Sequence, residues 1–250
     1  MSQTQPEIHV SPNPQALAEE AARRFAVLSR EAIGARGRFV VALSGGSTPK
    51  ALLRLLALPP YRDTLDWGRI HVAWGDERCV PPNDAQSNYR MAREALLAHV
   101  PIPAGNIHRM PAENPDHEAA ANDYAATLRS LFGLGEGEMP RFDLIHLGLG
   151  TEGHTASLFP GSPALRERER LVAAPWVEKL DAYRITLTPP VLNAAREVQF
   201  LVAGAEKAAI VRQILRAPRN PDELPAQVVA PTDGQLVWLL DAAAAQELEE

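Results

Sequence analysis

Short apolar runs alternate with helical patterns from one end of this 250-residue chain to the other. Five runs are typical of buried β-strands: residues 39–43, 70–74, 142–147, 198–202 and 236–240. Five longer segments have the hydrophobic spacing of helices: residues 16–33, 48–57, 87–98, 117–132 and 206–216. This alternation predicts a three-layer α/β/α fold, in which an open, mostly parallel sheet is covered by helices on both faces.

The stretches between these segments are short, so we predict a single domain over residues 1–250. The most loop-like of them are residues 58–66, 133–141 and 217–225. Neither of the first two is long enough or biased enough in composition to separate two independent domains. The third is rich in proline and charge and is expected to form a surface loop. No internal repeat or low-complexity tract interrupts the pattern.

Charge and cysteine content narrow the class of function. The net charge of −6 argues against a nucleic acid or a membrane surface as the main partner, whereas a small anionic substrate can still bind a local basic pocket. Cys79 is the single cysteine, which excludes an internal disulfide and a cysteine-based metal cluster. The amino terminus lacks the pattern of a secretory signal, and no apolar run approaches the roughly 20 residues of a membrane span. A cytoplasmic protein is therefore expected.

A glycine-rich turn, SGGSTP at residues 44–49, directly follows the first predicted strand. Its candidate ligand-binding residues are Ser44, Gly45, Gly46, Ser47 and Thr48. The glycines let a ligand approach the backbone closely, and we expect Ser47 or Thr48 to cap the next helix. Free amides and the positive end of the helix dipole favour a bound anion, most often phosphate. The alternative interpretation is a plain strand-to-helix turn, since the motif is neither a P-loop nor a dinucleotide fingerprint.

A charged segment, GDERCVPPNDAQSNYR at residues 75–90, directly follows the second predicted strand. Asp76, Glu77 and Arg78 stand at the strand end, where an open sheet collects its ligand groups. Arg78 suits a carboxylate clamp or the stabilisation of an oxyanion. From this segment alone, the better interpretation is a solvated run of charges. Cys79 has no histidine nearby in sequence and is interpreted as a packing residue.

Two further cations are candidates for holding a phosphate. Arg184 begins the alternating segment RITLTPP, and Lys207 opens a predicted helix in GAEKAAIV. The helix dipole disfavours a cation at a helix start, and a bound phosphate would offset this. The alternative is that both are ordinary surface residues. The seven histidines show no metal-binding spacing, and His146, inside a predicted strand, is interpreted as a core residue.

The most informative turn is GLGTEGHTASLFPG at residues 148–161, which follows the third predicted strand. Three glycines in six positions allow a tight turn, with His154 at its far side. We expect residues 155–159 to start a short helix that Pro160 and Gly161 end. A polar residue placed between a strand and a helix is how open α/β sheets position their chemistry. The alternative is an ordinary loop whose histidine only caps the helix.

Together these motifs resemble the 6-phosphogluconolactonase family, within the wider glucosamine-6-phosphate isomerase/deaminase superfamily. SGGSTP, DERCVPP with the later SNYR, GLGTEGHTASLFPG, RITLT and GAEKA occur in the order expected of that family, over nearly the whole chain. The pair GHTASLFPG and DERCVPP is the most specific signal. The deaminase branch has a different run where SLFP stands here, which favours the lactonase branch. One departure is Glu152, because the family most often has Asp at that position.

The resemblance implies a modified Rossmann fold and the hydrolysis of 6-phospho-D-glucono-1,5-lactone, the second step of the oxidative pentose phosphate pathway. It implies that His154 activates water, that Glu152 orients or polarises His154, and that Arg78 steadies charge on the opening lactone. No metal or organic cofactor is expected, since a lactone carbonyl is already electrophilic.

The resemblance also implies a binding role for the remaining candidates. The SGGST turn, Arg184 and Lys207 would hold the substrate phosphate, and Asn88 would contact sugar hydroxyls. Asp76 matches the position used for proton transfer in the deaminase branch, and it has no assigned role in a lactonase. The expected partner is a small sugar-phosphate lactone, with no nucleic acid or membrane, and both a monomer and a small homo-oligomer fit the sequence.

Two alternatives stay open. The nearer one is an isomerase/deaminase that acts on an amino-sugar phosphate. The other is a non-catalytic sugar-phosphate sensor, since some bacterial transcription regulators carry a domain of this superfamily. Such regulators add a helix-turn-helix segment, and the residues before the first predicted helix leave no room for one.

Overall fold

A six-stranded parallel sheet forms the centre of the computed structural model, which describes residues 6–248. Ten strands are found in that part of the chain: β1 (Glu7–Ser11), β2 (Phe39–Leu43), β3 (Ile70–Trp74), β4 (Asp76–Arg78), β5 (Leu144–Leu147), β6 (Val172–Ala173), β7 (Trp176–Val177), β8 (Ala182–Leu187), β9 (Glu197–Val202) and β10 (Gln235–Asp241). The central sheet has the strand order β1-β10-β9-β5-β2-β3, and every pair in it is parallel.

All five predicted strands lie in this sheet, and the predicted mostly parallel α/β fold is confirmed. Every residue of β2, β5 and β9 is buried, as expected of strands covered on both faces. β1 was not predicted, because Glu7–Ser11 is an edge strand with mostly exposed side chains and no apolar run.

A second, smaller sheet is antiparallel and was also missed. It has the order β4-β8-β6, and β7 pairs with β8 to form a hairpin. Its strands are two to six residues long. Segments this short hold too few residues for a period of two to stand out.

Eight α-helices occur among the described residues: α1 (Pro14–Arg36), α2 (Ser47–Leu56), α3 (Tyr61–Thr64), α4 (Asn88–Ala92), α5 (His117–Phe132), α6 (Pro189–Ala194), α7 (Ala208–Arg216) and α8 (Ala242–Ala245). The five predicted helices correspond to α1, α2, α4, α5 and α7. The helix at α4 continues as a π-helical turn, Arg93–Leu97. The short α3 lies in a stretch that was predicted to be a loop. A proline precedes it, and a single helical turn is too short to give a helical pattern in the sequence.

The strand order brings four loops to one edge of the central sheet. β9, β5, β2 and β3 are consecutive neighbours and all run in the same direction. The loops that leave their carboxyl ends therefore lie side by side, at the edge where open α/β sheets bind ligands. The three motifs at residues 44–49, 75–90 and 148–161 follow β2, β3 and β5 respectively.

Candidate active site

The loop after β2, residues 44–48, leads directly into α2; we call it the anion loop. Gly46 stands before the helix with a φ of 106°, which residues with a side chain rarely adopt, and no side chain caps the helix. The prediction that Ser47 or Thr48 caps α2 is wrong, because both residues already lie in its first turn. Amides in a first turn have no intrahelical partner, so this helix start is open to an anion.

The two carboxylates that begin the charged segment after β3 are buried. Asp76 is 8% exposed and Glu77 is 3% exposed, so the interpretation of a solvated run of charges is wrong. Glu77 accepts hydrogen bonds from the backbone amides of Asn88 and Tyr89, at 2.7 and 2.8 Å. Burial raises the pKa of Glu77, although these amide donors favour its ionised form. Glu77 thereby ties the start of α4 to β4 and keeps Asn88 beside Asp76.

The carboxylate of Asp76 is held by side chains from two other segments. Ser157 Oγ donates a hydrogen bond to Asp76 Oδ2 at 2.8 Å, and Asn88 Nδ2 donates to Oδ1 at 3.3 Å. The amide of Ser157 in turn donates to Thr186 Oγ1 in β8 at 3.2 Å. The loop after β5 is therefore anchored to both β4 and β8 of the second sheet.

This loop after β5, residues 148–161, contains no helix; we call it the histidine loop. The predicted helix at residues 155–159 is absent, because Ala156 has a φ of 47° and Thr155 Oγ1 donates back to the Gly148 carbonyl at 2.9 Å. The alternative in which His154 merely caps a helix is therefore wrong as well. The amide of Gly150 donates to the His154 carbonyl at 2.8 Å and closes the turn.

The imidazole of His154 is fixed from three sides. Its Nδ1 is buried and lies 3.2 Å from Glu152 Oε2, a charge contact that lacks hydrogen-bond geometry. The Phe159 ring stacks on the imidazole, with centroids 4.1 Å apart and planes 17° apart. A Cβ at Gly150 would lie 2.0 Å from Nδ1, so this ring position requires glycine there.

Burial lowers the pKa of His154 below its ordinary value of 6.5. The charges of Glu152 and Asp76 raise the pKa and offset part of this effect, whereas Lys207 lowers it further. The imidazole is therefore mainly neutral at pH 7. A neutral imidazole is the form that accepts a proton.

Glu152 joins His154 to a lysine that the sequence analysis did not select. Burial alone would raise the pKa of Glu152, but the hydrogen bond from Lys179, a backbone donor and the contact with His154 together lower it to about 2. Lys179 Nζ lies 2.8 Å from Glu152 Oε1. Glu152 is therefore ionised at any pH near neutrality.

Three cations at the site have no ion pair with any residue in 6–248: Arg78, Arg184 and Lys207. Arg78 and Arg184 are opposite partners in the β4–β8 register. Burial and the nearby charge of Arg78 lower the pKa of Arg184. Lys207 stands immediately before α7. Cations that gather in a cavity without forming an ion pair favour an anionic ligand.

These loops surround a cavity of about 540 Å³. The predicted site residues all line it: Ser44, Gly45, Gly46, Ser47, Thr48, Asp76, Arg78, Asn88, Glu152, His154, Arg184 and Lys207. The structure thus brings together residues from four loops and the second sheet. The role of each one stays a prediction.

Several residues that line this cavity were not predicted from the sequence, among them Ser157, Phe159 and Lys179. The first two belong to the SLFP run, which was used only to distinguish the lactonase branch from the deaminase branch. Lys179 lies in a hairpin that was not predicted. A signal was available, because the chain has only three lysines and two of them, Lys179 and Lys207, line the cavity.

Burial shifts the pKa values of two residues that were interpreted as packing residues, and in both cases it disfavours the charged form. Burial raises the pKa of the Cys79 thiol to about 11, so the thiol stays protonated. His146 is 1% exposed, and burial lowers its pKa to about 4. No group of three or more His, Cys, Asp or Glu within residues 6–248 is arranged to hold a metal ion. In the same range, no helix combines the length and apolarity needed to cross a membrane.

The sequence and the fold of this chain both resemble those of known proteins. Residues 12–238 match the family model described as glucosamine-6-phosphate isomerases/6-phosphogluconolactonase. A 6-phosphogluconolactonase from Synechocystis sp. is 44% identical over 243 residues, covering 97% of this chain and 98% of the relative. A solved structure of 6-phosphogluconolactonase from Trypanosoma brucei superimposes with a TM-score of 0.88 at 31% identity, covering 99% of this chain and all of that one.

A monomeric glucosamine-6-phosphate deaminase of known structure also resembles the chain, with a TM-score of 0.81 at 20% identity. The alignment covers 96% of this chain and 99% of the deaminase. At this identity the likeness shows a shared fold and says nothing of a shared reaction.

Proposed function

The chain belongs to the glucosamine-6-phosphate isomerase/6-phosphogluconolactonase family, and we propose that it hydrolyses 6-phospho-D-glucono-1,5-lactone to 6-phospho-D-gluconate. This reaction is the second step of the oxidative pentose phosphate pathway. The observation that carries the proposal is an imidazole held against Glu152 and Phe159, in a cavity that also gathers three cations without an ion pair to a described residue. Such a site suits a substrate that is anionic at one end and electrophilic at the other.

His154 is the proposed general base. Its Nδ1 faces Glu152, which favours the tautomer with the proton on Nδ1 and the lone pair on Nε2. Nε2 makes no hydrogen bond to another described residue and is free to accept a proton from water. The ionised Glu152 also stabilises the imidazolium that forms during the reaction.

The proposed reaction has two steps. In the first, water attacks C1 of the lactone while His154 Nε2 takes its proton, and a tetrahedral oxyanion forms that the Arg78 guanidinium stabilises. In the second, the bond between C1 and the ring oxygen breaks, and His154 returns the proton to that oxygen. The new carboxyl group then ionises, so the product leaves as 6-phosphogluconate.

The phosphate end of the substrate is assigned to the other side of the cavity. The open amides of the anion loop, Arg184 and Lys207 supply positive charge there, and Asn88, which also lines the cavity, is assigned to a sugar hydroxyl. Anchoring this remote group orients the lactone carbonyl toward His154, which lowers the entropic part of the barrier.

An amino-sugar-phosphate isomerase/deaminase is the alternative, and one observation favours it. Asp76 places a buried carboxylate in the cavity, where it could move a proton on a sugar carbon. Against it, Ser157 and Asn88 already occupy that carboxylate with hydrogen bonds.

An assay of the purified protein separates these two functions. We expect hydrolysis of the lactone above its spontaneous rate, measured as acid release, and no ammonia from glucosamine-6-phosphate. Ammonia release without lactone hydrolysis would replace the proposal with the alternative. Binding of 6-phosphogluconate without either activity would favour the sugar-phosphate sensor.

A further inference from the structure

Lys179 stands at the tip of a hairpin that reaches across to the histidine loop. The hairpin is formed by β7 and β8, with Trp176 opposite Tyr183 and Val177 opposite Ala182. A single 3₁₀ turn, Glu178–Leu180, closes it, and Asp181 ends that turn in the left-handed conformation. The backbone position of Lys179 is therefore set by strand pairing and does not depend on the loop that it contacts.

We propose that Lys179 is a positioning residue for the reaction, acting on His154 through Glu152. The two oxygens of Glu152 are divided between two partners: Oε1 accepts from Lys179 Nζ at 2.8 Å, and Oε2 lies 3.2 Å from His154 Nδ1. The carboxylate thus bridges the hairpin and the base. The proposal rests on the proposed function of this site.

The bridge depends on the reach of the glutamate side chain. Its single carboxylate contacts both Lys179 and His154. About a quarter of the Glu152 side chain is exposed, so without a second partner it is free to rotate toward water. A base held by one mobile carboxylate spends less time in the orientation that removes a proton from water.

Other cavity cations are not suited to this role. Arg78, Arg184 and Lys207 form no ion pair with described residues, whereas Lys179 is paired with Glu152. Two-thirds of the Lys179 side chain is exposed, so its charge is largely screened by water. We therefore expect Lys179 to act by holding Glu152 in position, and its loss to affect kcat more than KM.

A set of variants assayed for lactone hydrolysis tests this inference. Lys179→Met is expected to lower kcat about 5-fold with KM changed less than about 2-fold, the size of a typical contact coupling. Lys179→Arg, which keeps a donor for the carboxylate, should recover kcat to within about 2-fold of wild type. Lys50→Met is the matched control, because Lys50 is the one lysine outside the cavity lining.

The decisive comparison repeats Lys179→Met in a Glu152→Gln background. If Lys179 acts through Glu152, its loss there should change kcat by less than about 1.5-fold, since the two effects are not additive. Equal effects in both backgrounds, an unchanged or higher kcat in Lys179→Met, or a rise in KM alone would overturn the inference. In each of those cases wild-type lactonase activity would still stand. A wild-type chain without that activity would overturn the proposed function and this inference together.

Discussion

The anion loop and the histidine loop follow neighbouring strands of one sheet, but only the anion loop leads into an α-helix; the histidine loop is followed by a short 3₁₀ helix. The anion loop contributes to the cavity the backbone amides at the start of α2, which carry a fixed partial charge at every pH. The histidine loop winds through turns, with Ala156 at a φ of 47°, and is anchored by the Ser157 side chain on the second sheet. Its contribution is a titratable ring.

In the proposed function, this difference divides the roles of the two loops. A fixed dipole suits a phosphate, whose charge does not change during the reaction. A ring that gains and loses a proton requires a controlled pKa, and the packing around His154 supplies it. Changes in the histidine loop should therefore alter turnover, and changes among the phosphate-holding residues should alter binding.

Removing the ring should have the largest effect. His154→Ala is expected to lower kcat roughly 10²–10⁴-fold, the usual range for a general base, with little change in KM. Steady-state kinetics corrected for spontaneous lactone opening measure this, and circular dichroism checks the fold. Hydrolysis near the wild-type rate would remove His154 from its role.

Displacing the His154 ring without removing it should have the second-largest effect on kcat. In Gly150→Ala, the new Cβ would overlap Nδ1 and push the imidazole aside, so we expect kcat to fall about 100-fold, as for a misplacement near 1 Å. Gly105→Ala is the control, because a Cβ there meets nothing within 4 Å. Equal kinetics for the two variants would show that the ring position is not critical.

The phosphate-holding residues should behave in the opposite way. Arg184→Met is expected to raise KM about 10-fold with a smaller change in kcat, because one charge-assisted contact is lost from bound substrate. Lys207→Ala should do the same, and the exposed Arg62, outside the cavity, gives the control Arg62→Met. A fall in kcat at constant KM would contradict the assignment of Arg184 and Lys207 to substrate binding.

The smallest effect concerns the titration of the free enzyme. Burial disfavours the charged imidazole, so protonating His154 requires a lower pH, and its midpoint should lie below 6.5. The base therefore stays neutral as the pH falls toward that midpoint. An NMR titration measures this, with the signal assigned by its loss in His154→Ala. A midpoint at or above 6.5 would contradict the account of the histidine loop.

Much of this site was predicted from sequence, because the family resemblance assigned residues as distant as Ser44 and Lys207 to one substrate. The structure gives the physical reason why both line one cavity: parallel strands place their following loops at one edge of the sheet. Local patterns failed where the structure depends on distant contacts. The shape of the histidine loop comes from bonds to Asp76 and Thr186, and a window of 14 residues contains neither.

The burial of charged side chains was the other feature that could not be predicted from the sequence. Asp76 and Glu77 looked like solvated charges because sequence does not show that Ser157 and the start of α4 satisfy them. Lys179 was not predicted as a site residue for a related reason. Its partner Glu152 is 27 residues earlier, and the hairpin that presents it is built from strands too short to predict.

A crystal structure with bound 6-phosphogluconate tests the division of the site most directly. We predict the phosphate against the amides of the anion loop, within reach of Arg184 and Lys207. The C5 hydroxyl, the former ring oxygen, should then lie within hydrogen-bond distance of His154 Nε2, with the C1 carboxylate near Arg78. A ligand bound in the reverse orientation, with its phosphate at His154, would contradict the account.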